Sequence, residues 1–336
     1  MRKRTMTVAV AVAVAVAGFG VVAVVPSSAA PATTASALTV GPTRASTAPA
    51  PARIAVHFDL AKGQLPENVA LGPDGTAYVT FAAARQVAAV SPPGETRVLA
   101  TLPAPADGGV NTPVLAFALT TGIVRMSDGT LYVLYASGDA ATTGLYRLRP
   151  GGSPHRIAAL PADGLPNGLA FEAETKRFYL TDSVLGTIST VPLKGGRAEV
   201  WSSAPELAAA GFLGANGIKV RAGAVWATNL DRGTLLRIPL RHGRPGPVRV
   251  AATGLVGIDD FAFVGAGDHQ VIATLNGPNA VVSIDAAGRS RTLMTAADGL
   301  QNPTSVAVRG RTVYVLSAAY STGIDPNLAV ATLPLR

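Results

Sequence analysis

The sequence predicts an all-β fold, a six-bladed β-propeller with four strands in each blade. A short segment recurs six times, at intervals of 43 to 54 residues. Each copy has a polar or acidic residue, an aliphatic pair, a turn and an alternating strand. This period is typical of propeller blades. Runs rich in Val, Tyr and Thr, bounded by Gly and Pro, follow every copy, and only residues 205–212 suggest a short helix.

Residues 1–30 have the features of a secretory signal peptide. A basic start at 2–4 precedes an almost wholly Val, Ala and Gly run at 7–25, and small-residue cleavage sites follow at 28–30 and 35–37. The alternative is an uncleaved membrane anchor, because the apolar run comes near the length that spans a bilayer. The adjacent cleavage sites favour removal, so we expect a secreted, extracellular protein.

Residues 31–52 are mostly Ala, Thr, Ser and Pro, with a single arginine, which predicts a disordered linker. The propeller then occupies residues 53–336 as one domain. The chain has no cysteine, which excludes disulfides and thiolate metal sites. The net charge is +8, of which the basic start at 2–4 contributes three. The remaining charge is scattered, so we expect no nucleic-acid partner. The apolar runs of the remaining chain are short and alternating, so we expect no membrane contact after cleavage. We also expect a monomer.

The first copy contains a complete blade. Its four predicted strands, separated by Gly/Pro turns, are 67–71, 76–80, 86–90 and 96–102. The second strands of the later copies are predicted at 130–134, 177–181, 224–228, 270–274 and 312–316. Third strands follow at 144–148, 187–191, 234–238, 280–284 and 328–332.

One strand-like segment, residues 53–58, precedes the first copy, and the sixth copy ends after its third strand. We therefore expect this N-terminal strand to close the last blade, which would remove an exposed edge. The alternative is a free edge strand.

The first position of each copy, here called the slot, lies at the start of an inner strand and so at one mouth of the central channel. The slots hold Glu67, Thr121, Asn167, Asn216, Asp259 and Thr304. Two carboxylates and two amides supply the oxygens that Ca²⁺ prefers, and no His or Cys joins them. The alternative is a set of capping or turn residues, since Asn-Gly is a common turn dipeptide. That alternative does not explain Glu67, which begins an apolar strand.

Four segments together resemble the family of gluconolactonase, regucalcin and paraoxonase. They are Pro66-Glu67-Asn68, Leu165-Pro166-Asn167-Gly168, Gly214-Ala215-Asn216-Gly217 and Ile258-Asp259-Asp260-Phe261. The resemblance implies a six-bladed propeller with an axial calcium ion on Glu67, Asn167, Asn216 and Asp259. It also implies metal-dependent hydrolysis of a lactone or ester.

Asp259 is the predicted catalytic base, because a carboxylate at the metal can take a proton from an attacking water. Asp260 is the competitor, but alternation along the strand points it away from the channel, which favours a structural role. Loops after the second strands rise at the same mouth. They place Tyr135, Asp182, Asn229 and Asn276 as predicted substrate-binding residues, although each is equally interpreted as a surface turn residue.

Two long connections, 103–118 and 202–214, emerge at that mouth and are predicted to form a lid. The sequence thus favours a calcium-dependent lactonase or esterase. The rival hypothesis is a non-catalytic propeller that binds a small molecule or a protein and holds a structural metal, because fold alone does not decide function.

Overall fold

The computed structural model describes residues 52–267 and 270–333. The predicted signal peptide, and the predicted linker except for its last residue, lie outside this range. The described chain is all-β and contains no α-helix. Its 3₁₀ turns are Leu60–Lys62, Pro205–Leu207 and Ala296–Asp298. No described helix is long and apolar enough to cross a membrane.

Six antiparallel sheets form the blades, as predicted. The N-terminal strand is β1 (Arg53–His57), and the first blade comprises β2 (Pro66–Leu71), β3 (Ala77–Phe81), β4 (Gln86–Val90) and β5 (Thr96–Thr101). The second comprises β6 (Leu119–Arg125), β7 (Leu131–Ala136), β8 (Gly144–Leu148) and β9 (His155–Ala159). The third comprises β10 (Pro166–Glu172), β11 (Arg177–Asp182), β12 (Thr187–Pro192) and β13 (Glu199–Ser202).

The fourth blade comprises β14 (Ala215–Arg221), β15 (Ala224–Asn229), β16 (Thr234–Arg241), the short β17 (Arg244–Pro245) and β18 (Arg249–Ala252). The fifth comprises β19 (Ile258–Phe263), β20 (Gln270–Leu275), β21 (Ala280–Asp285) and β22 (Ser290–Met294). The sixth comprises β23 (Pro303–Arg309), β24 (Thr312–Ser317) and β25 (Asn327–Thr332), completed by β1.

The predicted closure by the N-terminal strand is confirmed. Strand β1 pairs antiparallel with β25, with Arg53 opposite Val330 and His57 opposite Asn327. Beyond the strand, the ring of Phe58 contacts Phe81 of the first blade edge-on, with ring centroids 4.9 Å apart. The segment therefore completes the last blade and also packs against the first.

The predicted helix over 205–212 is confined to one 3₁₀ turn, Pro205–Leu207. Pro205 suits the first position of a helix, because its missing N–H has no partner there in any case. Ala208 is already extended, with φ −67° and ψ 144°. The connection then continues as irregular chain toward the mouth of the channel.

Threonine hydroxyls join the inner strands into a ring. At each of the six blade interfaces, one threonine hydroxyl donates to a backbone carbonyl of the following blade. The bonds are Thr80 to Thr121 O (2.7 Å), Thr121 to Pro166 O (2.8 Å), Thr181 to Asn216 O, Thr228 to Asp259 O (2.6 Å), Thr274 to Thr304 O (3.2 Å) and Thr304 to Pro66 O (2.8 Å).

This ring explains why two slots hold threonine. In four blades the donor is a threonine on the second strand. The corresponding positions in the second and sixth blades are Leu134 and Leu316, which have no hydroxyl. There the slot residues Thr121 and Thr304 donate instead. These two slots therefore serve the ring, and the other four keep side chains that can face a ligand.

Replacing Thr228 with valine should lower the free energy of unfolding by about 1–3 kcal/mol, because the buried Asp259 carbonyl loses its partner. Urea denaturation in chelator would measure the change. Thr292→Val is the matched control, since Thr292 is exposed on an outer strand. Equal stability of Thr228→Val and the wild type would contradict a structural role for the ring.

Deleting residues 53–58 should destabilise the protein far more than deleting residues 31–50, because only the first deletion opens an edge on the sixth blade. Thermal melts of the two deletion variants would make the comparison. Equal melting temperatures would show that ring closure contributes nothing to stability.

Candidate functional site

The four slot residues proposed as ligands lie at one mouth of the channel. Glu67, Asn167, Asn216 and Asp259 are the second residues of β2, β10, β14 and β19. In each of these strands the register with its neighbour shifts at the slot. Such β-bulges re-aim side chains and are frequent beside functional sites. The bulge therefore turns each slot side chain away from the ladder and toward the channel.

The two Asn-Gly pairs lie inside strands β10 and β14, so they are not turns. A Cβ atom on Gly168 would lie 2.3 Å from the carbonyl oxygen of Asn216, and one on Gly217 would lie 2.8 Å from that of Asp259. Glycine is required here because neighbouring inner strands approach too closely for any side chain. The turn interpretation of these asparagines is therefore wrong.

A cavity of about 180 Å³ lies over the slot residues. Its polar floor contains Glu67, Asn167, Asn216, Asp259, Asn276 and Tyr320, and Asn302 and Ser321 also line it. Its walls are apolar, formed by Leu115, Phe117, Leu119, Leu165, Phe212, Leu213 and Leu230. None of the described lining residues is His, Lys or Arg. A small set of oxygens therefore faces an otherwise apolar chamber.

Hydrogen bonds hold the polar floor. The Asn276 amide donates to Asp259 Oδ2 at 3.1 Å, and the Tyr320 hydroxyl donates to Glu67 Oε2 at 2.5 Å. The Asn167 amide nitrogen donates to Ser183 Oγ at 3.1 Å. Because its nitrogen is engaged, the oxygen of Asn167 is the branch available to a ligand.

Burial sets the electrostatics of the two carboxyl groups. It raises the pKa of Glu67 to about 7. The hydrogen bond from Tyr320 lowers this pKa in part, and the charge of Asp260 raises it. Burial likewise raises the pKa of Asp259 well above its usual range, and the nearby Glu67 raises it further. The two groups therefore destabilise each other's charged forms.

These residues fit a hard divalent cation. A cation between the two carboxyl groups would offset both their mutual repulsion and the cost of their burial. Carboxylate and amide oxygens are ligands that Ca²⁺ accepts in irregular geometry. No group of three or more His, Cys, Asp or Glu side chains able to hold a metal occurs in the described part of the chain, so any site here depends on the asparagines.

Asp260 turns away from the cavity, as alternation along β19 predicts. Its Oδ1 lies 2.7 Å from Lys219 Nζ, and its Oδ2 accepts a hydrogen bond from Ser305 Oγ at 2.7 Å. These contacts join β19 to the inner strands on either side of it. Asp260 therefore has a structural position, and Asp259 is the aspartate of this pair that lines the cavity.

The structure brings one of the four predicted substrate-binding residues, Asn276, to the cavity. Asp182 instead accepts backbone hydrogen bonds from 165, 184 and 185, which shape its own loop. Asn229 donates to the carbonyls of Glu206 and Ala208. Tyr135 is fully buried and its hydroxyl donates to the Pro103 carbonyl. These three side chains support the loops around the cavity and do not line it.

Both predicted lid connections reach the mouth. Residues 103–118 contribute Leu115 and Phe117 to the walls, and residues 202–214 contribute Phe212 and Leu213. Val114 and Ala116 have φ values of 66° and 57°, a left-handed conformation that is unfavourable for a β-branched residue such as valine. The backbone is therefore strained where it presents Leu115 to the cavity.

Tyr320 is a site residue that the sequence analysis missed. It lies in the loop after the second strand of the sixth blade. Loops after second strands rise at this mouth, and this loop is one of them, so its place in the sequence marks Tyr320 as a candidate. What the sequence does not show is that this particular side chain turns inward and reaches Glu67, on the first blade.

No family model matches the chain, and no curated protein matches it. Solved structures share its fold. A gluconolactonase from Xanthomonas campestris is 16% identical, with a TM-score of 0.59 over 85% of this chain and 97% of that one. The calcium-binding protein regucalcin from Agrobacterium tumefaciens is 18% identical, with a TM-score of 0.59 over 80% and 90%.

A third similar structure is a catalytically inactive virginiamycin B lyase from Staphylococcus aureus with quinupristin. It is 16% identical, with a TM-score of 0.57 over 81% of this chain and 82% of that one. The resemblance to gluconolactonase and regucalcin propellers is confirmed as a likeness of fold. Because the lyase shares this architecture, the fold alone does not select one chemistry.

The stability of the metal-free protein should fall as pH rises from 4.5 to about 7. The folded protein keeps the Glu67 proton up to about pH 7, whereas the unfolded chain releases it near 4.5, so unfolding is favoured between the two values. Glu67→Gln should lose less stability over this range. Urea denaturation in chelator from pH 4.5 to 8 would measure the slope of the free energy of unfolding against pH for both proteins.

Glu199→Gln is the control for this pH series, because Glu199 is exposed and paired with Arg177 at the surface. Its slope should match that of the wild type. A Glu67→Gln slope equal to both would show that the buried carboxyl group does not govern stability in this range.

Proposed function

We propose that this protein is a metal-dependent hydrolase of the lactonase or esterase type. The proposed ligands of a calcium ion are Glu67, Asn167, Asn216 and Asp259. One observation carries the proposal: two buried carboxyl groups and two amides lie at one mouth of the channel, directly below an apolar cavity. The likeness to propellers described as a gluconolactonase and as calcium-binding regucalcin supports it.

When bound, the cation would polarise the carbonyl group of a lactone or ester and stabilise negative charge on its oxygen. Asp259 is the proposed base, which accepts a proton from the water that adds to the carbonyl carbon. The Asn276 amide orients the Asp259 carboxyl through its hydrogen bond to Oδ2. The apolar walls exclude bulk water and so strengthen each of these polar interactions.

The cavity walls favour a neutral, apolar substrate over a polyhydroxylated one. Seven leucine and phenylalanine side chains form the walls, and no charged group other than Glu67 and Asp259 is among the described lining residues. Sugar hydroxyls buried against such walls would lose hydrogen bonds to water without replacement, which is costly. An ester or lactone carrying an alkyl or aryl group suits the chamber better.

The proposal includes the setting of the reaction. Residues 1–30 direct the protein to a secreted, extracellular location. Calcium sites of extracellular proteins work with dissociation constants up to about a millimolar. The substrate is a small molecule, and the protein acts as a monomer without nucleic acid or membrane.

A rival function has one specific observation in its favour. No described lining residue is a histidine, so the proposed base is also a proposed metal ligand. A carboxylate engaged with a cation is a weaker base than a free one. In this rival, the propeller binds an apolar small molecule or a protein partner, and the cation only stabilises the ring.

Calcium should stabilise the folded protein by about 2.7 kcal/mol at a hundredfold excess over its dissociation constant, because it binds the folded state alone. Thermal melts with CaCl₂ and with chelator would show the difference, and Asp259→Asn should reduce it. Coincident melts of metal-free protein in the two conditions would remove the cation from the proposal.

Turnover should be tested first with wild-type protein on lactones and aryl esters of increasing alkyl length, with a chelator control. On any substrate so found, Asp259→Asn should lower kcat by about 10²-fold or more, the usual contribution of a positioned base. Asp285→Asn, at an exposed ion pair remote from the cavity, is the control.

Calcium occupancy must be measured in each variant, since Asp259 is also a proposed ligand. Unchanged turnover in Asp259→Asn would be compatible with a hydrolase but would show that Asp259 is not the base. Wild-type protein that binds calcium but hydrolyses nothing in the screen would favour the binding protein.

A further inference from the structure

Tyr320 makes the closest polar contact on the cavity floor. Its hydroxyl donates to Glu67 Oε2 at 2.5 Å. Within the described residues, this is the hydrogen bond that the Glu67 carboxyl group accepts, and no other is present. Oε2 is therefore engaged by the phenol, and Oε1 is the oxygen available to a cation.

The loop that carries Tyr320 is held by hydrogen bonds to Asn302 and Gln301. Asn302 Oδ1 accepts hydrogen bonds from the Ser321 backbone at 2.8 Å, the Ser321 hydroxyl at 2.9 Å and the Thr322 backbone at 3.2 Å. Ala319, just before the tyrosine, has φ 57° and donates to the Gln301 carbonyl at 2.7 Å. A strained residue held by such contacts indicates that the position of Tyr320 is specified by its surroundings.

Asn302 itself is fixed from the fifth blade. Its backbone N–H donates to Asn279 Oδ1 at 2.5 Å, and its side-chain nitrogen lies 3.4 Å from the Asn276 carbonyl. Asn276 is the residue that orients Asp259. Asn302 therefore connects the Tyr320 loop, which contacts Glu67, with Asn276, which contacts Asp259.

We propose that Tyr320 is a positioning residue of the cation site. Its hydroxyl fixes the Glu67 carboxyl so that one oxygen is presented to the ion, and Asn302 holds the tyrosine in place. The proposal rests on the proposed function, since it takes Glu67 to be a ligand. Partners that orient metal ligands through hydrogen bonds contribute strongly to metal affinity, and their loss weakens binding by about 10–100-fold.

A merely structural tyrosine would behave differently. A buried phenol needs a hydrogen-bond partner. In that case Glu67 would only satisfy the Tyr320 hydroxyl, and Tyr320 would not orient Glu67 for a cation. Removing the hydroxyl would in that case change the stability of the metal-free protein and leave the affinity for calcium unaltered. Calcium affinity, measured without substrate, therefore separates the two roles.

The test is calorimetric titration of CaCl₂ into wild type, Tyr320→Phe and Tyr314→Phe, with thermal melts of each in chelator. Tyr314 lies on β24 of the same blade and does not line the cavity, so it is the matched control. We expect Tyr320→Phe to bind calcium about 10–100-fold more weakly and Tyr314→Phe to match the wild type. Equal affinity of Tyr320→Phe and wild type would overturn the inference.

Two further outcomes are decisive. Wild-type protein that binds no calcium would overturn the cation site of the proposed function and this inference with it. If Tyr320→Phe does not fold, Ser321→Ala replaces it, because this change removes one of the three bonds to Asn302 and keeps the phenol. An affinity loss of about 2–10-fold, the equivalent of one hydrogen bond, would then support the proposal, and unchanged affinity would overturn it.

Discussion

The threonine hydrogen bonds between inner strands are the constraint on which the site depends. Each bond satisfies a backbone carbonyl at or next to a slot, and it fixes how closely neighbouring blades approach. Thr181 and Thr228 donate to the carbonyls of Asn216 and Asp259, and these bonds tie the slots of the fourth and fifth blades to the blade before each. The close approach in turn admits only glycine at 168 and 217. The hydrogen-bonded ring therefore sets both the spacing of the inner strands and the positions of the slot residues.

The cavity floor is energetically unfavourable by itself. Glu67 and Asp259 are both buried, and each raises the free energy of the other's charged form. A fold stabilised only by packing would replace them with apolar side chains, because a buried pair of like charges opposes folding. Their presence, with Tyr320 and Asn276 oriented onto them, is the pattern expected of a site that binds something positively charged.

Periodicity predicted the six blades, most strand bounds and the closing strand, because each depends on local alternation and turn residues. The slot residues were predictable for the same reason, since they recur in one register. Two features were not. Asn-Gly suggests a turn locally, and only the packing of adjacent inner strands shows that Gly168 and Gly217 prevent a clash.

The second unpredictable feature is where individual loop side chains point. Asp182 and Asn276 occupy similar places after second strands, yet one caps its own loop and the other reaches Asp259. Short polar side chains bond equally well to a nearby backbone or across a cavity. The choice depends on loop length and on neighbours from other blades. The contact of Tyr320 with Glu67 was not predictable, because the two residues are 253 positions apart in the sequence.

The pairing of β1 with β25 has a consequence for the order of folding. The first strand of the domain finds its partner only after the last has been synthesised, so the final blade cannot form while the chain is incomplete. Contacts between such distant segments carry a high entropic cost and slow folding. Until the two ends meet, β25 keeps an unpaired edge, and the faces of the first and fifth blades that pack against the sixth stay uncovered. Both surfaces make the unfinished ring prone to associate with other chains.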